Sequence, residues 1–213
     1  MQLRMNKLTK QQVSVGVMII LHTVGIIGLS LPDEYRQWFV PLTPLNLVIS
    51  AYFVLRHEVS PKWGLFALIA ALAYGVEALG IHTGWPFGEY WYGSPLGPHL
   101  FEVPLLIGVL WLLLLLGAAH WAKRITKSKG WQVLIVATMM VLLDFFIEPV
   151  AVKLNFWTWA QLDIPWNNYV GWFGTALILA ALLQLDPKFG NNRVAGLFFW
   201  IQTAFFLALN ALL

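Results

Sequence analysis

The sequence predicts an all-α, polytopic membrane bundle of about seven transmembrane helices with a cytoplasmic N-terminus, and three observations carry that prediction. Of the 213 residues, 59% are hydrophobic and 11% charged, and the mean hydropathy of +0.71 is higher than a water-exposed domain tolerates. Apolar runs close to the ~20 residues needed to cross a ~30 Å hydrocarbon core recur along the whole chain. Between them, lysine and arginine collect in alternate loops.

The first span, 13–31, follows a basic N-terminal segment. Gly28-Leu29-Ser30 has the small residues of a signal-peptidase site, but the apolar run is longer than a signal peptide's core, so it reads as an uncleaved span. The second, 38–55, is interrupted at its start by Pro41 and Pro44. The third, 64–81, runs into an aromatic loop, and the fourth, 102–121, opens on Glu102. Spans at 131–152, 169–185 and 194–213 complete a single integral domain, residues 1–213, without repeat or long linker. Arg4, Lys7, Lys10, Arg56, Lys62, Lys123, Arg124, Lys127, Lys129, Lys188 and Arg193 fall on one side, and only Arg36 and Lys153 on the other. By the positive-inside rule the first side is cytoplasmic, which puts the C-terminus outside. Scattered through short loops, these cations form no track for a nucleic-acid backbone. Cysteine is absent, so disulfides, thiolate nucleophiles and thiolate metal sites are excluded.

The outer loops, 82–101 and 153–168, carry His82, Trp85, Phe87, Tyr90, Trp91, Tyr92, Trp157, Trp159 and Trp166. Loops this long in a small bundle are usually functional. Trp and Tyr at this level suit an interfacial belt, and their faces also stabilise a cation in a dry pocket.

Below these loops lie acids. Glu77 is thirteen residues into its span and Asp144 thirteen into another, each roughly 20 Å from the inner edge at ~1.5 Å per residue. Glu148 shares a helix face with Asp144 one turn further out. Glu102, at the boundary, reads equally as a site residue and as a helix-start carboxylate at the positive end of the macrodipole. Glu89 and Asp163 read as loop residues. Charges inside a bilayer are costly and mark function, and no Lys or Arg lies at the depth of Glu77, Asp144 and Glu148. Desolvation without a cation favours the neutral acid, and two carboxyls held together cannot both ionise cheaply. A neutral acid in an apolar cavity donates protons, while a neighbouring carboxylate stabilises positive charge or activates water. No HExxH, glycine-rich phosphate loop or nucleophile motif is present, and no metal site is expected. His22, Asn46, Gln184, Gln202 and Asn210 read as interhelical hydrogen-bonding groups. Gly171 with Gly174, and Gly25 with Gly28, read as close-packing positions.

"EALGIHTGWPFGEYWY", "GPHLFEVPLLIGVLW", "DFFIEPVAVKLNFWTW" and "IPWNNYVGWFGTALI" cover most of residues 75–180. In these segments the chain resembles the carotenoid biosynthesis membrane proteins that include the CruF-type carotenoid 1,2-hydratases. The resemblance implies addition of water across the terminal 1,2 double bond of an acyclic carotenoid end group, giving a tertiary alcohol without a cofactor. It also implies a carotenoid held in the bilayer of the cell (inner) membrane, alongside other carotenoid biosynthesis enzymes. In that reading Glu77 or Asp144 is the acid, Glu148 or Glu102 holds or activates water, and His82, Trp85, Phe87, Tyr90, Trp157 and Trp159 contact the substrate. Two alternatives stay open: a lycopene cyclase, whose chemistry begins with the same protonation, and a small transporter or proton-relay protein, for which intramembrane acids are equally natural.

Overall fold

A computed structural model describes residues 8–59, 61–161 and 163–213; Arg4 and Lys7 lie outside them. The helices are α1 (Lys10–Leu29), a short α2 (Asp33–Arg36), α3 (Thr43–Leu55), α4 (Trp63–Thr83), α5 (Ile107–Ile125), α6 (Lys129–Lys153), α7 (Trp166–Leu183) and α8 (Arg193–Leu212). Four short strands lie in the loops: β1 (Tyr90–Tyr92), β2 (His99–Leu100), β3 (Val103–Pro104) and β4 (Trp157–Trp159). By length and composition α1, the stretch Asp33–Leu55, α4, α5, α6 and α8 can each cross a membrane. The seventh expected span, α7, falls outside this set; its first turn carries Asn167 and Asn168. The result is an all-α membrane bundle.

Helix α5 is the hub, packed against α4, α6 and α8. Glycine permits the close approaches: a Cβ on Gly108 would stand 2.4 Å from the Ala70 carbonyl of α4, and one on Gly117 2.6 Å from the Ala195 carbonyl of α8. Small residues at such crossings let backbones meet where lipid offers no hydrophobic drive to association.

The loops rich in cations share one end of the bundle and are tied together there. Lys62 Nζ donates to the Leu185 carbonyl at 2.7 Å, and Lys123 Nζ to the Phe189 carbonyl at 2.8 Å. Asn192 caps α8 by accepting from Val194 N at 3.0 Å and Ala195 N at 3.1 Å, while its amide donates to Val54 O and to Glu58 Oε1. Burial pushes the Glu58 carboxyl above its ordinary range, partly offset by the Asn192 hydrogen bond. The two minority cations, Arg36 and Lys153, line one cleft with Asp33, Ser94 and Asn155.

The structure departs from the expected boundaries most at the fourth span. The helix begins at Ile107; residues before it form a hairpin with His99 opposite Pro104 and Leu100 opposite Val103. Phe101 (φ 48°) and Glu102 (φ 63°) make its tip, the two left-handed positions of a tight hairpin turn. Tyr74 of α4 holds the hairpin by donating to the Leu100 and Val103 carbonyls. Glu102 is therefore not a helix-start acid. The proline-broken second span resolves into α2, a 3-10 turn over Val40–Leu42, and α3, with Pro44 in the first turn of α3, where the missing N–H costs nothing.

The small and polar residues assigned to packing divide. A Cβ on Gly25 would meet the Phe205 ring of α8 at 3.1 Å, but Gly28 and Gly171 accept rings from connecting segments, Phe39 and Phe87, and Gly174 has nothing within 4 Å. Gln184 and Asn210 do reach neighbouring helices, at Gln132 Oε1 (3.3 Å) and the Phe146 carbonyl (2.7 Å). His22 instead bonds to Met18 O of its own helix. Asn46 and Gln202 form no hydrogen bond among the described residues.

Candidate active site

The site is assembled where α4 and α6 end beneath the outer loops. α4 stops at Gly84, in the left-handed region at φ 71°, whose N–H returns to the Gly80 carbonyl at 2.8 Å; glycine adopts this conformation without the Cβ clash. The chain then passes a cis Trp85–Pro86 bond and folds back. Phe87, 1% exposed, drives between α4 and α7. Its ring occupies the space that side chains on Gly80 and Gly171 would fill, at 2.9 and 2.7 Å. β1 is thereby laid across the end of the bundle.

β1 pairs antiparallel with β4, with Tyr90 opposite Trp159 and Tyr92 opposite Trp157. Residues two apart on a strand share a face, as do direct cross-strand partners, so four aromatic rings project together into the bundle. Trp91, between them, is 53% exposed. Tyr90 and Trp159 lie 5.1 Å apart, and Tyr92 and Trp157 6.0 Å, centroid to centroid.

Each polar tip of this ribbon meets a carboxyl. Tyr90 and Tyr92 both donate to Glu77 Oε2, the latter at 2.9 Å, and Trp111 Nε1 of α5 donates to Oε1 at 2.9 Å. Trp157 and Trp159 donate to Glu148 Oε2 at 3.1 and 2.8 Å. The remaining oxygen, Oε1, accepts from Asn168 at 3.0 Å, and the same Asn168 amide reaches Asp144 Oδ2 at 2.8 Å. Asp144 Oδ1 is buried without a partner. Glu77, Asp144 and Glu148 are 4%, 0% and 1% exposed, and the ion pairs among the described residues lie elsewhere. Three buried acids are thus held by neutral donors alone. Burial pushes the Tyr90 and Tyr92 phenols well above the ordinary tyrosine range, so both stay O–H donors.

Beside this cluster is a cavity of about 200 Å³, lined mainly by apolar side chains of α1, α3, α5 and α8. Glu77 is the carboxylate in its wall, with Tyr92, Trp111, Trp157 and Trp172 around it. Trp111 and Trp172 stack at 4.0 Å. The chamber is apolar apart from a few polar groups, and one acid and several aromatic rings border it.

Of the residues singled out in the sequence, Glu77, Asp144, Glu148, Tyr90, Trp157 and Trp159 come together. Phe87 supports them from behind without lining the cavity. Trp85 is 67% exposed and borders a shallow outer cleft with Glu89. His82 and Glu102 stand apart, 4.0 Å from one another with side chains 52% and 74% exposed. Tyr92, which the sequence places among the loop aromatics but not among the substrate contacts, joins the cluster; Trp111, Trp172 and Asn168 were missed. Asn168 left a signal: an amide at the outer end of an apolar span, at the level of Asp144. Trp111 left none, being one of twelve tryptophans.

Residues 40–209 match the family described as Carotenoid biosynthesis protein, a region that contains all three acids and both strands of the ribbon. This chain belongs to that family. It is 35% identical over 187 residues to the curated bisanhydrobacterioruberin hydratase of Haloarcula japonica. The similarity covers 73% of this chain and 59% of the relative, so the chain spans well under two thirds of that protein's length. No solved structure matches the chain.

Proposed function

We propose that this protein is a carotenoid hydratase of the cell (inner) membrane, adding water to the terminal 1,2 double bond of an acyclic carotenoid end group with no cofactor. The observation that carries this reading is Glu77: a carboxyl in the wall of an apolar cavity, with no cation near it and three hydrogen-bond donors on its oxygens. The family and the hydratase activity in the relative's name support it.

The chemistry follows from those groups. Glu77 gives its proton to C2 of the trisubstituted alkene, leaving a tertiary cation at C1. The carboxylate so formed is stabilised by Tyr90, Tyr92 and Trp111, donors already in place where charge develops, which is the arrangement that lowers such a barrier most effectively. The stacked Trp111–Trp172 pair and Trp157 offer π-faces to the cation, and the Asp144–Glu148 pair adds negative potential behind the ribbon. Water then bonds to C1 and loses a proton; the sum is alkene plus water to tertiary alcohol. The substrate, a rod about as long as the bilayer is thick, reaches this level with its end while its length stays among lipid and apolar helix faces.

Expression in a host making lycopene or γ-carotene tests the proposal. Pigments heavier by one water per modified end are expected; end groups cyclised without change of mass would replace hydration by cyclisation, and unaltered pigment would remove the reading. Glu77→Gln and Asp144→Asn are made separately; full retention of product in both would sink the acid role.

A further inference from the structure

The cavity wall formed by α1, α3 and α8 contains polar groups that the acid chemistry does not use. His22 of α1, Asn46 of α3 and Gln202 of α8 all line the chamber. His22 is 3% exposed and its Nδ1 lies 2.7 Å from the Met18 carbonyl of its own helix. A carbonyl only accepts, so Nδ1 carries the hydrogen, and in the neutral imidazole the distal Nε2 is then an acceptor. That nitrogen is buried with no partner, as is Asn46 Oδ1. Gln202, 8% exposed, makes no hydrogen bond among the described residues. Buried polar atoms are nearly always satisfied. Two such acceptors on separate helices, with the Gln202 side chain beside them on a third, border one cavity and fit a ligand in that cavity with O–H groups to give.

We propose that His22, Asn46 and Gln202 form a hydroxyl-binding subsite that, under the hydratase reading on which this rests, holds the attacking water, with His22 Nε2 accepting its proton. Of the three buried acids Glu77 alone borders the cavity, and its carboxylate, once formed, is held by Tyr90, Tyr92 and Trp111, which lowers its basicity toward water. His22 Nε2 is a separate acceptor on the same chamber. Water's oxygen bonds to C1 of the cation, its O–H bond breaks toward His22 Nε2, and the imidazolium keeps its Nδ1–H on the Met18 carbonyl. Return of that proton through cavity water to Glu77 closes the cycle with nothing oxidised or reduced.

The two half-reactions separate in deuterated water. Membranes containing the full chain, or its His22→Leu, His22→Gln, Asn46→Leu and Gln202→Leu variants, are incubated with lycopene in D2O, and both alcohol and deuterium in recovered lycopene are measured by mass spectrometry. Wild-type hydration establishes the underlying reading; its absence removes that reading whatever the variants do. Given hydration, His22→Leu is expected to lose at least tenfold in alcohol while recovered lycopene still gains deuterium, because the cation forms and reverts. Gln, which retains an acceptor, restores part of the alcohol, and Asn46→Leu and Gln202→Leu show the same split to a smaller degree. Glu77→Gln loses both signals. Unchanged alcohol in His22→Leu, or equal loss of alcohol and deuterium in all the subsite variants at wild-type expression and thermal stability, overturns the proposal. So does a loss confined to carotenoids that already carry a hydroxyl, which would assign the subsite to substrate rather than water.

Discussion

Tyr92→Phe removes one oxygen and leaves the ring that lines the cavity, so it isolates a single donor to Glu77. That donor sits 2.9 Å from Oε2 on a buried acid. A hydrogen bond to a charged group contributes about 1.5–3 kcal/mol, and each ~1.4 kcal/mol is tenfold, so if the bond matters chiefly once Glu77 is ionised the hydration rate falls about 10- to 150-fold. Initial rates are measured in membranes by chromatography of the hydroxylated pigment, normalised to protein by immunoblot. Tyr90→Phe should fall in the same range. Both lose more together than either alone, because Tyr90 and Tyr92 share one oxygen. Tyr52→Phe, at a position 58% exposed, is the control and stays at wild-type rate. A Tyr92→Phe enzyme within twofold of wild type would refute the idea that these donors stabilise the carboxylate formed on proton transfer.

Asn168→Leu removes the amide shared by Asp144 and Glu148; with two buried acids deprived of a donor, a loss of about 2–5 kcal/mol is expected, read as a lower unfolding temperature in detergent. Gly80→Ala puts a methyl 2.9 Å from the Phe87 ring and 3.2 Å from Tyr90 Oη, so activity should drop at least tenfold while Gly174→Ala, facing open space, leaves it unchanged. Glu102→Gln and His82→Ala, on exposed side chains, should hydrate within twofold of wild type. Glu58, whose carboxyl burial pushes above its ordinary 4.5, contributes stability present below pH 4.5 that is lost as pH rises through its elevated folded value. Glu58→Gln should therefore stabilise progressively more as pH is raised above 4.5, seen in melting curves across pH. Because the chain lacks cysteine, single Lys127→Cys and Gln161→Cys variants test orientation: an impermeant maleimide should label the second in intact cells and the first only after permeabilisation.

The bundle was legible in the sequence because membrane helices must satisfy their backbones internally and leave long apolar runs. The depth of Glu77 and Asp144 was legible for the same reason, since residue count in a helix is distance. What stayed hidden depends on short extended segments. Tyr90–Tyr92 and Trp157–Trp159 are three residues each, too brief for an alternating pattern, and nothing local announces that they pair across 67 positions. Without that pairing the aromatics read as an interfacial belt. Glu102 was misplaced because a run of apolar residues follows it, although the Phe101–Glu102 turn delays the helix to Ile107. His22, Asn46 and Gln202 read as helix contacts from residue type alone; only the structure shows that they border one cavity, where His22 Nε2 and Asn46 Oδ1 are left without a partner.

The ribbon of β1 and β4 has an implication for how this sequence can change. Four donors to two acids depend on the parity of one short pairing, since a shift by one residue turns a strand over. A single insertion or deletion between Gly84 and Tyr90, or between Lys153 and Trp157, would present Trp91 or Thr158 to the interior and lift two donors out together. Gly93 fixes the phase, because a Cβ there would lie 2.0 Å from the Asn155 carbonyl. The segments leading from α4 into β1 and from α6 into β4 are therefore bound by residue count: their exposed side chains can be replaced without moving a donor, but their lengths cannot change without turning a strand over.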